Sequence, residues 1–289
     1  AKDFSEPEYM NDMTIHEICE HYESHPSVMM IKSQMLDTPS FSFKPVTHAQ
    51  VFKKMSMLKT NKSCGHDRIP AKLIMICAPT LSHTFASVFN MCFDQSIFPD
   101  DFKYAEVSSI FKKNDNLCKN NYRPISVLSA FSKVHESLLC DQMMSHFNEI
   151  LSNLLSAYRK RYSCNNVFFK CLEDWRHALD QGDYVGCIMM DLSKAFDSLP
   201  HALLVSKLNA YKMDDKACTL IRNYLSNRHQ RVKLGSARSD WKCLKRGVPQ
   251  GSLAGPVLFN VFINDFLYFI EKSCNIYNYA DDNSISYHH

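Results

Sequence analysis

The stretch NIYNYADDNSISY, residues 275–287, constrains the fold more than any other. Two β-prone pieces, IYNYA and SISY, flank Asp281, Asp282 and Asn283. Asp and Asn favour turns because their side chains bond the nearby backbone and tolerate left-handed conformations. The segment therefore reads as a hairpin with two carboxylates at its tip. A second piece, DYVGCIMMD at 183–191, is a nearly continuous apolar run closed by an aspartate. That pattern suits a strand buried on both faces with Asp191 at its end.

Taken singly, such carboxylates are ordinary solvated strand ends. If the two strands are sheet neighbours, however, Asp191 and Asp281 meet at one edge. Clustered carboxylates raise each other's pKa unless a cation neutralises them. Magnesium is the hard, oxygen-seeking ion that accepts one or two carboxylates and completes its shell with water and phosphate oxygens. Two such ions about 3.5–4 Å apart stabilise both the attacking and the leaving oxygen of a phosphoryl transfer.

Composition bounds the rest. The 289 residues are 45% hydrophobic and 22% charged, enough for a large core in one or two domains. The twelve cysteines form no C-x-x-C pair and read as reduced core thiols. No basic region followed by an apolar stretch opens the sequence, so no signal peptide is read. The apolar stretch 73–93 contains Pro79, Ser82, His83, Thr84 and Asn90, too polar for a membrane span. Its second half puts Leu81, Phe85, Val88, Phe89 and Cys92 on one helical face. A soluble, intracellular protein is expected.

The net charge of +3 conceals a split. Residues 1–45 carry three lysines against eight acids and read as an acidic linker or peripheral arm. Within it, HEICEH at 16–21 places its histidines five apart, so they do not stack as the zinc-protease pattern requires. Residues 216–246 hold nine basic residues and one acid. Such a block is either a solvated face or a polyanion groove. Between them, 98–128 reads as a hairpin in which Ala105, Val107 and Ser109 alternate with Glu106, Ser108 and Ile110. A helix follows over 129–150, and another starts near Pro200.

The blocks MMDLSKAFDSLPH, GVPQGSLAGPVLFNVFIND and YADD, in that order, resemble the reverse transcriptases of non-LTR, LINE-type retrotransposons. Upstream, NKSCGHDRIP, FPDDFKYAEVSSIFKK, NYRPISVLSAFSKVHE and LSAYRKRYSC are similar to the finger segments of that family. The likeness covers about 46–289. It implies an α/β (α+β) fold: right-hand polymerase fingers at roughly 46–180 and a partial palm at roughly 181–289. The antiparallel palm sheet would be backed by helices, with the thumb missing because little follows the hairpin.

The resemblance also implies roles. Asp191 and Asp281 would be ligands of two magnesium ions, with manganese as a substitute, and Asp282 the supporting carboxylate. Phe196 matches the aromatic that packs under the incoming sugar and excludes a 2′-hydroxyl. Gln250 and Gly251, in GVPQGS, would help hold the nucleotide, as would Lys112 (or Lys113) and Arg123 through its triphosphate. Arg159, Lys160, Arg161 and Tyr279 would touch template and primer, as would the basic block at 216–246. The implied activity is RNA-directed DNA synthesis, with RNA template, DNA primer and dNTP as partners, no membrane, and a nuclear or cytoplasmic setting by analogy.

Some positions depart from the family. Cys64 to Arg68 replace a proline- and glycine-rich motif, Ala157 and Arg161 stand where glycine is usual, and Ala254 replaces leucine. The alternative expectation is a non-catalytic nucleic-acid-binding remnant. An RNA-dependent RNA polymerase would share the carboxylates but not the aromatic at 196.

Overall fold

Short capped helices open the chain. In the computed structural model, which describes residues 7–192 and 194–289, α1 (Ile15–His21) starts at a capping box. The Thr14 hydroxyl accepts from the Glu17 N–H, and the Glu17 carboxylate accepts from the Thr14 N–H. Next come α2 (Pro26–Gln34), with proline in its first turn, and α3 (His48–Ser56), capped reciprocally by Thr47 and Gln50. The long α4 (Ala71–Gln95) ends where Ser96 turns left-handed and returns its N–H to Cys92 O. The chain continues through β1 (Tyr104–Phe111), β2 (Tyr122–Leu128), α5 (Ala130–Phe147), α6 (Cys164–Asp180), β3 (Val185–Asp191), α7 (His201–Ala210) and α8 (Asp215–Leu225). After these follow β4 (Arg228–Leu234), β5 (Ala237–Arg238), β6 (Lys242–Leu244), α9 (Ala254–Ile270), β7 (Asn275–Tyr279) and β8 (Asp282–His288).

Two sheets result. The first has the order β2-β1-β4-β5, with β6 also on β4; β1 and β2 are antiparallel, and β1 and β4 are parallel. The hairpin expected over 98–128 is present, but its alternation is not. Ala105, Glu106 and Val107 are all buried, because β4 makes β1 a central strand. The second sheet, β3-β8-β7, is wholly antiparallel, with α6 and α9 against it. The fold is mixed α/β, as expected. β4, from the range assigned to the palm, joins β1 from the range assigned to the fingers, and one apolar core runs through both.

Three expectations are corrected here. First, residues 7–45 are not a linker. Ile15, Val28, Ile31, Met35 and Phe41 lie in the main core. Phe41 exchanges backbone hydrogen bonds with Lys212 and Asp214, and Arg222 donates to the carbonyls of Met10 and Met13. Glu17 and Glu20 sit on the outer face of α1, opposite buried Ile15 and Ile18, and Asp12, Glu23 and Asp37 are exposed in bends and turns; the first six residues lie outside the described residues. Second, β3 is not buried on both faces. It is an edge strand beside β8, and Ile188 and Met189 are 67% and 79% exposed. Third, the buried face of α4 is Ile74, Ala78, Ser82, Ala86, Phe89, Cys92 and Phe93, with Val88 exposed. By length and composition alone α4 is long and apolar enough to cross a membrane, despite its polar residues. Its buried face packs on α3, α5 and α8.

Candidate active site

The hairpin between β7 and β8 closes with a two-residue loop, Ala280 and Asp281, as Tyr279 pairs with Asp282. Two facing asparagines hold this tip from below. Asn278 Nδ2 donates to Ala280 O (2.9 Å) and to Asn283 Oδ1 (2.9 Å), and Asn283 Nδ2 donates to Asp281 O (3.2 Å). Both asparagines are buried, so the loop carbonyls they satisfy have fixed positions. Ala280 has φ +58°, and Asp281 is not among the positive-φ residues. Loops of that kind normally carry glycine first. Ala280→Gly is therefore expected to stabilise the protein by about 1 kcal/mol, the cost of a left-handed alanine. Thermal melting checks this; a lower Tm would show that the tip is unstrained.

Because β3 pairs with β8, Asp191 stands directly opposite Asp282. The expectation placed Asp281 at that edge; the strand neighbouring β3 is the returning one, so Asp282 takes the facing position and Asp281 sits one residue away in the loop. Among the described residues, no lysine or arginine forms an ion pair with any of the three. Carboxylate oxygens without a cationic partner suit a hard divalent cation, so the donor chemistry fits. Among the described residues, however, no group of three Asp, Glu, His or Cys side chains is gathered closely enough to hold a metal ion. The arrangement is a facing pair with a neighbour, not a closed triad.

Tyr158 links this edge to the first sheet. An isolated bridge between Leu155 and Asn278 brings its segment to the hairpin. Burial, then the charge of Asp281 and the proximity of Tyr279, push its phenol pKa up, and Arg123 opposes them. Arg123, on β2, and the hairpin thus act on one side chain. The Tyr158 ring meets Phe196 edge-on at 6.2 Å, and Phe196 stacks on Phe259 of α9 at 4.8 Å. Half-buried Phe196 is fixed between the two. Sequence reasoning overlooked Tyr158, although it lies in the quoted segment LSAYRKRYSC.

The loop 247–252 ties these parts together. Gly247 donates to Leu199 O and Val248 to Phe196 O, both at 2.8 Å, while Ser126 of β2 donates to Gln250 O at 2.7 Å. Both glycines are required by close approach. At Gly247 (φ +77°) a Cβ would lie 2.6 Å from the Asp197 backbone, and at Gly251 (φ +122°) 2.6 Å from Ser126 O. Lys112 and Arg123 are exposed near one end of the first sheet. Arg123 pairs with Ile110, and Lys112 N donates to Asn121 O. Both Lys112 and Lys113 lie just past the end of β1, in the exposed turn that leads to β2.

The expected template contacts divide. Lys160 and Arg161 are exposed, as is Tyr279 beside the carboxylates. Arg161 has φ +71°, which accounts for glycine in the related pattern. Arg159 is corrected: it is buried, donates to the carbonyls of Ser152, Leu155 and Asn148, and lies 4.4 Å over the Tyr162 ring. It holds its own loop instead of a phosphate. The basic block at 216–246 is not a single free face either. Arg228 is buried against Tyr224, and Arg231, Lys233 and Arg238 surround Glu106 at 2.6–3.3 Å. Burial alone would raise the Glu106 pKa, but those three hydrogen bonds bring it to about 2. Lys242 remains exposed.

An apolar cleft of about 590 Å³ between α2, α7 and α9, which Phe259 helps to line, includes the buried Lys207–Asp265 pair (2.6 Å). Leu192, next to Asp191, lines it, but none of the three aspartates does.

Residues 110–289 match the family described as reverse transcriptase (RNA-dependent DNA polymerase). The chain belongs to that family. It is 27% identical over 252 residues to the "Probable RNA-directed DNA polymerase from transposon BS" of Drosophila melanogaster. It is 26% identical over 249 residues to the RNA-directed DNA polymerase from mobile element jockey of Drosophila funebris. These matches cover 85% and 84% of this chain, but the chain spans only 27% of the length of either relative. A Xenopus laevis protein of transposon TX1 matches 94% of this chain at 24% identity. Reverse transcriptases as a family depend on a divalent metal, and the facing aspartates of this reverse transcriptase chain have the oxygen donors for one.

Proposed function

We propose that this chain carries the polymerising core of a retrotransposon RNA-directed DNA polymerase, working on an RNA template, a DNA primer and dNTP. The observation that supports it most is the register of Asp191 opposite Asp282, with Asp281 adjacent, in a reverse transcriptase chain. The primer 3′-hydroxyl oxygen would bond to the α-phosphorus as the bond to the β-phosphate oxygen breaks; pyrophosphate leaves and the hydroxyl proton passes to solvent. Asp191 and Asp281, with Asp282 in support, would hold magnesium, as two ions or with manganese in its place; bound there, the cation supplies positive charge to the reacting oxygens.

The remaining residues position. Arg123 and Lys112 would grip the triphosphate, with Arg123 forking onto its oxygens. Gln250 and Gly251 would carry the nucleotide and nascent pair. Phe196, immobilised between Tyr158 and Phe259, would exclude a 2′-hydroxyl. Lys160, Arg161 and Tyr279 would border template and primer, contacts to backbone being sequence-independent.

Primer extension on an RNA template with dNTP and magnesium tests the reading. Extension by the parent chain but not by Asp281→Ala/Asp282→Ala supports it; equal extension by both sinks it. The absence of a gathered triad among the described residues favours one second reading, a nucleic-acid-binding protein without catalysis. Binding of the primer–template with no extension under any divalent cation would select it. For the gate, Phe196→Val is expected to raise ribonucleotide incorporation by about tenfold or more, since a site then lacks its steric bar. Unaltered discrimination would remove that role.

A further inference from the structure

Glu136, the last residue of the segment NYRPISVLSAFSKVHE, is wholly buried on α5 with four polar groups converging on its carboxyl. Oε1 accepts from the Ser132 hydroxyl (3.4 Å) and the Tyr224 hydroxyl (3.3 Å). Oε2 accepts from the backbone N–H groups of Leu253 (2.6 Å) and Ala254 (3.4 Å). The two amides can only donate, and both donate to Oε2; the two hydroxyls at Oε1 can donate or accept, and that of Ser132 also lies 3.2 Å from Phe102 O. Burial raises its pKa above the ordinary carboxylate value, and the nearby Arg228 charge and the two amides oppose this only in part. Arg228 is itself pinned on Tyr224 O at 2.9 Å, so the compensating charge is fixed in place.

Leu253 and Ala254 are the first residues after the loop 247–252, where α9 begins. A helix start leaves four amides without intrahelical partners. Here the Ser252 hydroxyl takes that of Gly255 (3.0 Å), and Glu136 takes two more from another helix. The loop is also anchored by backbone contacts, Gly247 and Val248 on 196–199 and Gln250 on Ser126 of β2, and by the His201 ring at 2.7 Å from Gly247 O. The loop is therefore stretched between β2, the Phe196 turn and α9. Glu136 supplies the anchor at the α9 end through its side-chain carboxyl.

We propose that Glu136 is the positioning residue of the nucleotide-binding loop: by clamping the amides of Leu253 and Ala254 it sets where Gln250 and Gly251 meet the incoming dNTP. The inference rests on the polymerase reading above. Glu136 touches no substrate. It acts through the loop, and its loss should weaken nucleotide binding more than the chemical step.

Glu136→Gln tests this. It keeps the shape but puts an NH2 donor in place of one carboxyl oxygen, leaving one acceptor and weaker contacts to the amides. With dTTP on a poly(rA)–oligo(dT) primer–template, the apparent KM for dTTP is expected to rise about tenfold with kcat within about twofold. Amide hydrogen exchange at Leu253 and Ala254 should accelerate by a similar factor while α4 and α5 keep their protection. Glu136→Asp, which retains a carboxyl on a shorter stem, should recover part of the affinity. If the parent turns over dTTP and Glu136→Gln leaves KM unchanged, this inference is overturned while the polymerase reading stands. Faster exchange with unchanged KM overturns it equally, for the clamp then serves only the helix. A parent that neither binds nor uses dTTP overturns the polymerase reading, and this inference with it.

Discussion

Asp191→Asn is expected to lower primer extension by about 100-fold or more while leaving the protein slightly more stable. The two effects have one cause. Asp191 faces Asp282 across neighbouring strands, and like charges directly opposite each other destabilise a sheet pair by up to about 1 kcal/mol. Amide for carboxylate removes that repulsion without changing shape. It also removes an oxygen donor with full charge from the site proposed to stabilise the transferring phosphoryl group. Loss of one such preorganised electrostatic contact costs about 10²–10³ in rate. A purely structural aspartate would behave in the opposite way, with stability falling and activity following it. Primer extension and thermal melting on the same sample separate the cases. Retained extension with a lower Tm would show that Asp191 is a strand-end residue and nothing more.

The second large effect concerns acid. His135 is completely buried, ring-stacked on Phe89 at 4.5 Å and on Phe98 at 4.9 Å, with Phe93 and Phe102 around it. Neither ring nitrogen has a hydrogen-bond partner. Burial alone drives its pKa down from 6.5 to about 3. The folded protein thus holds a neutral ring that the unfolded chain would protonate at mildly acidic pH. Stability from this site is complete above about pH 6.5 and is lost as pH falls towards 3, because only the unfolded state takes up the proton in that window. Each tenfold change in proton affinity is worth about 1.4 kcal/mol, so the loss reaches at most about 5 kcal/mol. His135→Phe should abolish this part of the acid sensitivity. It should also stabilise the protein at neutral pH by about 1 kcal/mol or more, since two unsatisfied buried nitrogens disappear. Urea unfolding of both proteins at pH 7 and pH 4.5 measures the difference. Parallel pH profiles would mean that the ring is already protonated or hydrated in the native state.

Much of the site was legible because its residues obey local rules. The hairpin was readable because Asp and Asn punctuate two β-prone pieces, and Tyr279, Asp281 and Asp282 lie at its tip. The helix after Pro200 and that after Ser129 begin at their cap positions. The motif order pointed to the family that residues 110–289 match. Arg159 was misread for a physical reason: an arginine in a basic run looks the same whether its guanidinium meets phosphate or three backbone carbonyls. The basic block failed likewise, since Glu106, more than a hundred residues earlier, absorbs three of its charges.

By itself, then, the sequence determined the elements and their chemistry: which segments turn, which start helices, and which carry paired carboxylates. These follow from side chains acting on their own backbone within a few residues. Only the tertiary structure decided which strand lies beside which. It paired β8, not β7, with β3, so Asp282 faces Asp191. It buried the inner faces of 7–45 against α7 and α8, and it brought Glu136 to the start of α9. Those outcomes depend on contacts between groups distant along the chain, where the energy lies in burial and in satisfying buried polar atoms, and no local pattern encodes that partner.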